Sequence, residues 1–170
     1  EPRIDMFDKL ARLHSHDDNV LVHQCAVIPD EQEEGPITMY EYQQVDGLPS
    51  WTKGVASLDK TLPERNNNWR QQKKPDQVKT DIVPVEVLGQ HFSTMMREMQ
   101  CVDPDAVVTD MEGFDKLVIL PAIKLKPKVL CYEHKVHGKD DNQLLETAIR
   151  QAGYEEFFRG PEDVVWILRG

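Results

Sequence analysis

The chain has 170 residues, 39% of them hydrophobic and 29% charged, which fits one folded domain with a real core and contains no apolar run long enough to span a bilayer. Its net charge of −10 argues against nucleic acid as a general partner. The three cysteines, Cys25, Cys101 and Cys131, stand at wide spacings outside any zinc pattern, so they read as buried free thiols of a reducing, cytoplasmic compartment with no metal site. No basic segment followed by an apolar one opens the chain, so no signal peptide is expected. Charge is uneven: residues 1–50 hold eleven acids against three basic residues, while 53–79 hold seven basic residues against three acids.

Ile4, Phe7, Leu10 and Ala11 recur at helix spacing after Pro2, which suits a first helical turn, and Asp17-Asp18-Asn19 stops the pattern. Val20 to Ile28 is a long apolar run and predicts a buried strand. Ile37 to Tyr42 alternates and is rich in β-formers, predicting a second strand, antiparallel to its partner. Residues 43–79, punctuated by Gly47, Pro49, Gly54 and Pro63, predict a loop-rich insertion. Trp51 and Ser57 are the side chains in it that fit a cover over a substrate, beside the plainer role of loop packing. Asp81 to Val87 alternates as a strand, with Pro84 marking an edge or bulge. Phe92, Met95, Met96 and Met99 fall on one helical stripe, the pattern of core packing.

Ala106-Val-Val-Thr109 is a short β-branched run that places Asp110 at a strand's C-terminal end, followed by Glu112-Gly113 and a helix from Phe114 to about Ile123. In parallel sheets, ligands bind outside the carboxyl ends of strands, so Asp110 and Glu112 point at the expected site. Both also suit the plainer task of capping the next helix. Lys128 to Tyr132 is a second buried strand, and it ends in Glu133-His134. Asp140-Asp141-Asn142 starts a helix with Leu144, Leu145, Ala148, Ile149 and Ala152 on its apolar face, and Gly153 caps it. Tyr154 to Arg159 and Asp163 to Arg169, joined by Gly160-Pro161, predict a terminal hairpin. The alternation of strand and helix predicts an α/β domain with a mostly parallel sheet.

Thr109-Asp-Met-Glu-Gly-Phe-Asp115 is similar to the Asp-x-Glu-Gly motif of the FkbM family of S-adenosylmethionine-dependent methyltransferases. Lys128 to His134, Gly153-Tyr154, the Val20 to Val27 strand and Gly54 to Leu58 follow in the family's order, so the resemblance covers nearly all of the chain. It implies a Rossmann-like class I methyltransferase fold with a C-terminal antiparallel hairpin. It also implies that the first strand and its glycine-rich turn would lie before Glu1, so the chain resembles an N-terminally truncated member.

The cofactor implied is S-adenosyl-L-methionine. Glu1 would hold its ribose hydroxyls, with Ala26 and Asp110 beside it; a carboxylate can accept two hydroxyl hydrogen bonds at once. Asp110, Glu133 and His134 become the catalytic candidates, with Glu112 and Gly113 shaping the turn below and Ser57 and Trp51 the cover. The implied reaction is O-methylation of a hydroxyl on a small molecule or saccharide, with no nucleic acid or membrane partner. Two alternatives stand beside it: a non-catalytic remnant that binds a partner through its acidic face, and a different nucleotide-binding α/β enzyme such as a sugar-modifying one.

Overall fold

The computed structural model describes residues 1–48, 52, 55–73, 78, 80–135 and 137–169. Along them run α1 (Ile4–Leu13), β1 (Ala26–Val27), β2 (Gly35–Tyr42), β3 (Ala56–Ser57), α2 (Thr61–Lys73), β4 (Ile82–Gln90), α3 (Phe92–Glu98), β5 (Ala106–Thr109), α4 (Lys116–Ala122), β6 (Val129–Glu133), α5 (Lys139–Gln151), β7 (Tyr154–Arg159) and β8 (Asp163–Leu168). The strands form two four-stranded sheets, ordered β1-β4-β2-β3 and β5-β6-β8-β7. Two compact units result, one made of Glu1–Glu34 with Gly89–Gly170, the other of Gly35–Leu88.

This overturns the expected mostly parallel, Rossmann-like sheet. Parallel pairing joins β1 to β4 and β5 to β6, but β2/β3, β6/β8 and β7/β8 pair antiparallel. The physical reason lies in the connections. Parallel strands need a crossover of a dozen or more residues, whereas short links return the chain antiparallel. In the second sheet β5-α4-β6 and β6-α5-β7 are helical crossovers between parallel strands, and β8 then returns between β6 and β7, antiparallel to both; the turn at Gly160–Glu162 is too short for a crossover and closes the C-terminal hairpin that the sequence does predict.

The larger unit is held by a core of Val107, Leu130, Tyr132, Val164 and Trp166 from the sheet against Val118, Ile119 and Ala122 of α4 and Leu145 and Ile149 of α5. Alternation along β5, β6 and β8 puts these side chains on one face. Arg150 lies over the Trp166 ring with its guanidinium 4.6 Å from the ring centre. The strand expected over Val20–Ile28 shrinks to Ala26–Val27, because only those two residues find a partner, in Gly89 and Gln90. Leu21 stays largely exposed.

In the smaller unit, α2 lies where the pattern indicates loop. It has no apolar stripe: Leu62 and Pro63 are buried at its start, while Trp69 is exposed. Asp59 accepts both the Thr61 backbone N–H at 2.8 Å and its hydroxyl at 2.7 Å, which starts the helix. The buried Tyr42 hydroxyl donates to the Pro63 carbonyl at 3.0 Å and ties the first turn to β2. Trp51 and Gly54 lie outside the described residues. Among the described residues no helix is long and apolar enough to cross a membrane.

Tyr42→Phe removes this tie between α2 and β2 while the Pro63 carbonyl keeps its helical amide donor. Urea denaturation is expected to show a loss of about 1 kcal/mol, the usual net worth of one hydrogen bond.

Candidate functional site

The pairing of β5 with β6 sets Thr109 opposite Tyr132, so the next residues, Asp110 and Glu133, leave the sheet side by side. β8 runs the other way and begins at Asp163, directly opposite Glu133. Three neighbouring strands thus deliver three carboxylates to one edge. Glu162, just before β8, adds a fourth, paired with the Lys135 ammonium. Glu112 adds a fifth from the turn after β5.

That turn is tight. Glu112 has φ +50° and Gly113 φ +97°, two successive left-handed residues that swing the chain from β5 into α4. Glycine adopts this conformation freely, but a side chain in it costs roughly 1–2 kcal/mol.

Beneath the edge lies Asp115, with no exposed surface. Its carboxylate accepts the Thr109 hydroxyl at 2.6 Å and the His137 Nε2–H at 3.1 Å. Its carbonyl accepts the first amides of α4, from Val118 at 3.0 Å and Ile119 at 2.8 Å. The His137 ring stands edge-on to Tyr132, with the ring centres 6.0 Å apart. One buried acid therefore fastens the end of β5, the start of α4 and the segment leading into α5.

The electrostatics divide these acids into two kinds. At Asp115 burial favours the neutral form, but the bonds from His137 and Thr109 outweigh it and hold the carboxyl below the usual range. At the edge burial and like charge prevail. Burial, then the charges of Glu112, Asp110, Asp115 and Glu162, push Glu133 from 4.5 up to about 7. Burial followed by Asp115, Asp163 and Glu162 raises Asp110. Burial followed by Asp110 and Asp115 raises Glu112, against the pull of Lys135. A carboxyl that exchanges its proton near neutrality suits general acid–base work.

The expected site residues are only partly brought together. Asp110, Glu112, Gly113 and Glu133 converge as described. His134 serves the hairpin instead: its Nε2–H donates to the Gly160 carbonyl at 3.0 Å and its amide to the Glu162 carbonyl at 2.8 Å. Ser57 belongs to the smaller unit, where its buried hydroxyl accepts the Asp59 N–H at 3.1 Å and shapes a turn. Glu1 accepts the Arg3 N–H at 3.0 Å ahead of α1. Gln24 donates to the Pro2 carbonyl at 3.4 Å, so Glu1-Pro2 runs beside the segment entering β1, where Ala26 is buried.

Asp115, His137, Glu162 and Asp163 were not singled out from sequence. Asp115 carried a signal, an acid directly before a helix. His137 carried none, because its partner lies 22 residues away. Among the described residues no group of three or more His, Cys, Asp or Glu side chains is arranged to hold a metal ion. No family model, curated protein or solved structure matches the chain.

Asp115→Ala strands His137 and Thr109 and is expected to cost about 3–5 kcal/mol in urea denaturation, as for breaking a buried pair. A second prediction concerns pH. The folded state holds the Glu133 proton more tightly than the unfolded chain, so this group's contribution is full below pH 4.5 and is lost as pH rises to about 7. Glu133→Gln should flatten that part of the stability–pH curve by about 1 kcal/mol, a figure reduced for solvent screening.

Proposed function

We propose that the chain is an S-adenosylmethionine-dependent methyltransferase domain of the FkbM type, with the β5–β6 edge as the place where a hydroxyl acceptor loses its proton. The observation that carries this reading is Glu133, poised at about 7 next to Asp110 at the carboxyl ends of two parallel strands. The left-handed Glu112 adds support, since a side chain held in a costly conformation within an already acidic turn does not serve stability.

S-adenosylmethionine, when bound, supplies an activated methyl group. Two features support it: the Glu1 carboxylate, which stands ahead of α1, is of the kind that accepts ribose hydroxyls, and the acidic edge favours a cation. Glu133 takes the proton from the acceptor hydroxyl at a carboxylate oxygen, which requires its ionised form. Asp110 keeps the edge negative and, through its charge, keeps Glu133 basic enough to hold that proton. The acceptor proposed is a hydroxyl on a small molecule or saccharide.

Calorimetric titration with S-adenosylhomocysteine tests the reading. Saturable binding is expected. Glu1→Ala should weaken it about tenfold, the loss of one charge-assisted bond of roughly 1.5 kcal/mol. Glu133→Gln should leave it unchanged, because that residue serves the acceptor. No heat from a folded chain would refute the cofactor assignment and favour a non-catalytic binding domain.

A further inference from the structure

A groove of about 370 Å³ opens in the larger unit where α3 faces the end of α4. It shares no residue with the carboxylate edge. Its walls are apolar, formed by Phe92, Met96, Val102, Pro121 and Leu125. Val102 is exposed beside it. Pro121 lies inside α4, and the helical turn that follows carries Lys124 and Leu125 onto the groove.

The charge on its rim is of the opposite sign to the molecule. Arg97 and Lys124 line the groove against one acid, Asp30, in a chain of net charge −10. The Arg97 guanidinium donates to the Thr94 hydroxyl at 3.5 Å, and Glu34, lowered chiefly by bonds from the His91 amide and Thr94, also feels its charge. Met96, an unbranched and polarisable side chain on the floor, can adjust to a flexible chain. The groove's size lies at the small end of the range for ligand pockets, about 300–1,000 Å³.

We propose that this groove binds a single-chain aliphatic carboxylate of medium length, its tail along Phe92, Met96 and Leu125 and its head between Arg97 and Lys124. An apolar floor alone would accept any hydrophobic molecule. The pair of cations at its rim selects a negatively charged head and fixes its orientation.

The test is calorimetric titration of the whole chain with decanoate below its aggregation concentration, with decanol as the uncharged control of equal length. One saturable site is expected, with decanol at least tenfold weaker. Arg97→Gln combined with Lys124→Gln, both on the rim, should weaken decanoate about tenfold and leave decanol unchanged. Met96→Trp, which fills the floor, should abolish binding of both, with circular dichroism confirming that each variant is folded. The proposal is overturned if the folded chain shows no saturable decanoate site. It is equally overturned if decanol binds as well as decanoate, or if the rim substitutions have no effect.

Discussion

The larger unit depends on one buried acid. Asp115 has no contact with solvent, and a lone charge in that position would be costly to bury. It is tolerable because every direction is satisfied: Thr109 from the strand, His137 from the segment before α5, and its own carbonyl on the first amides of α4. A pair of this kind contributes little net stability compared with apolar packing, but it specifies one arrangement. Here the arrangement it specifies is the angle at which β5 gives way to α4, and hence where Asp110 and Glu112 stand.

Asp115 also acts at a distance. Its negative charge is among the causes that raise Asp110, Glu112 and Glu133, and the pull of Lys135 on Glu112 does not cancel the rise. Lys135, paired with Glu162, is the cation that also acts on Glu112 and Glu133. The acids accumulate where β5, β6 and β8 meet, and a left-handed glutamate is added to them. Strain and like-charge repulsion at one edge, on a rigid sheet, are the pattern of a site kept for chemistry. Methyl transfer to a hydroxyl, the function proposed above, would give the ionisable Glu133 a task.

What the sequence made legible follows from how local each signal is. α1, α5 and the strands of the second sheet show their periodicity within ten or so residues, and the C-terminal hairpin is announced by Gly160-Pro161. Asp110 and Glu133 could be placed because a strand end is a local feature. The sheet arrangement could not, since hydrophobic runs do not state their partners: Val20–Ile28 is apolar throughout, yet only Ala26 and Val27 pair. α2 escaped because it is held by Asp59 and by Tyr42 rather than by an apolar stripe. His134 looked like a base from its position, whereas the geometry gives its Nε2–H to the Gly160 carbonyl. The Asp115–His137 pair is invisible in one dimension because neither residue has a motif that names the other.

The account rests on Glu133 being poised by its acidic surroundings, and the direct measurement is a carboxyl-carbon NMR titration of that residue in the wild-type chain and in Asp115→Asn. A midpoint of about 7 in the wild type, displaced downward in the variant while burial keeps it above 4.5, is the result predicted. A wild-type midpoint at 4.5, or one that ignores the loss of the Asp115 charge, would contradict it.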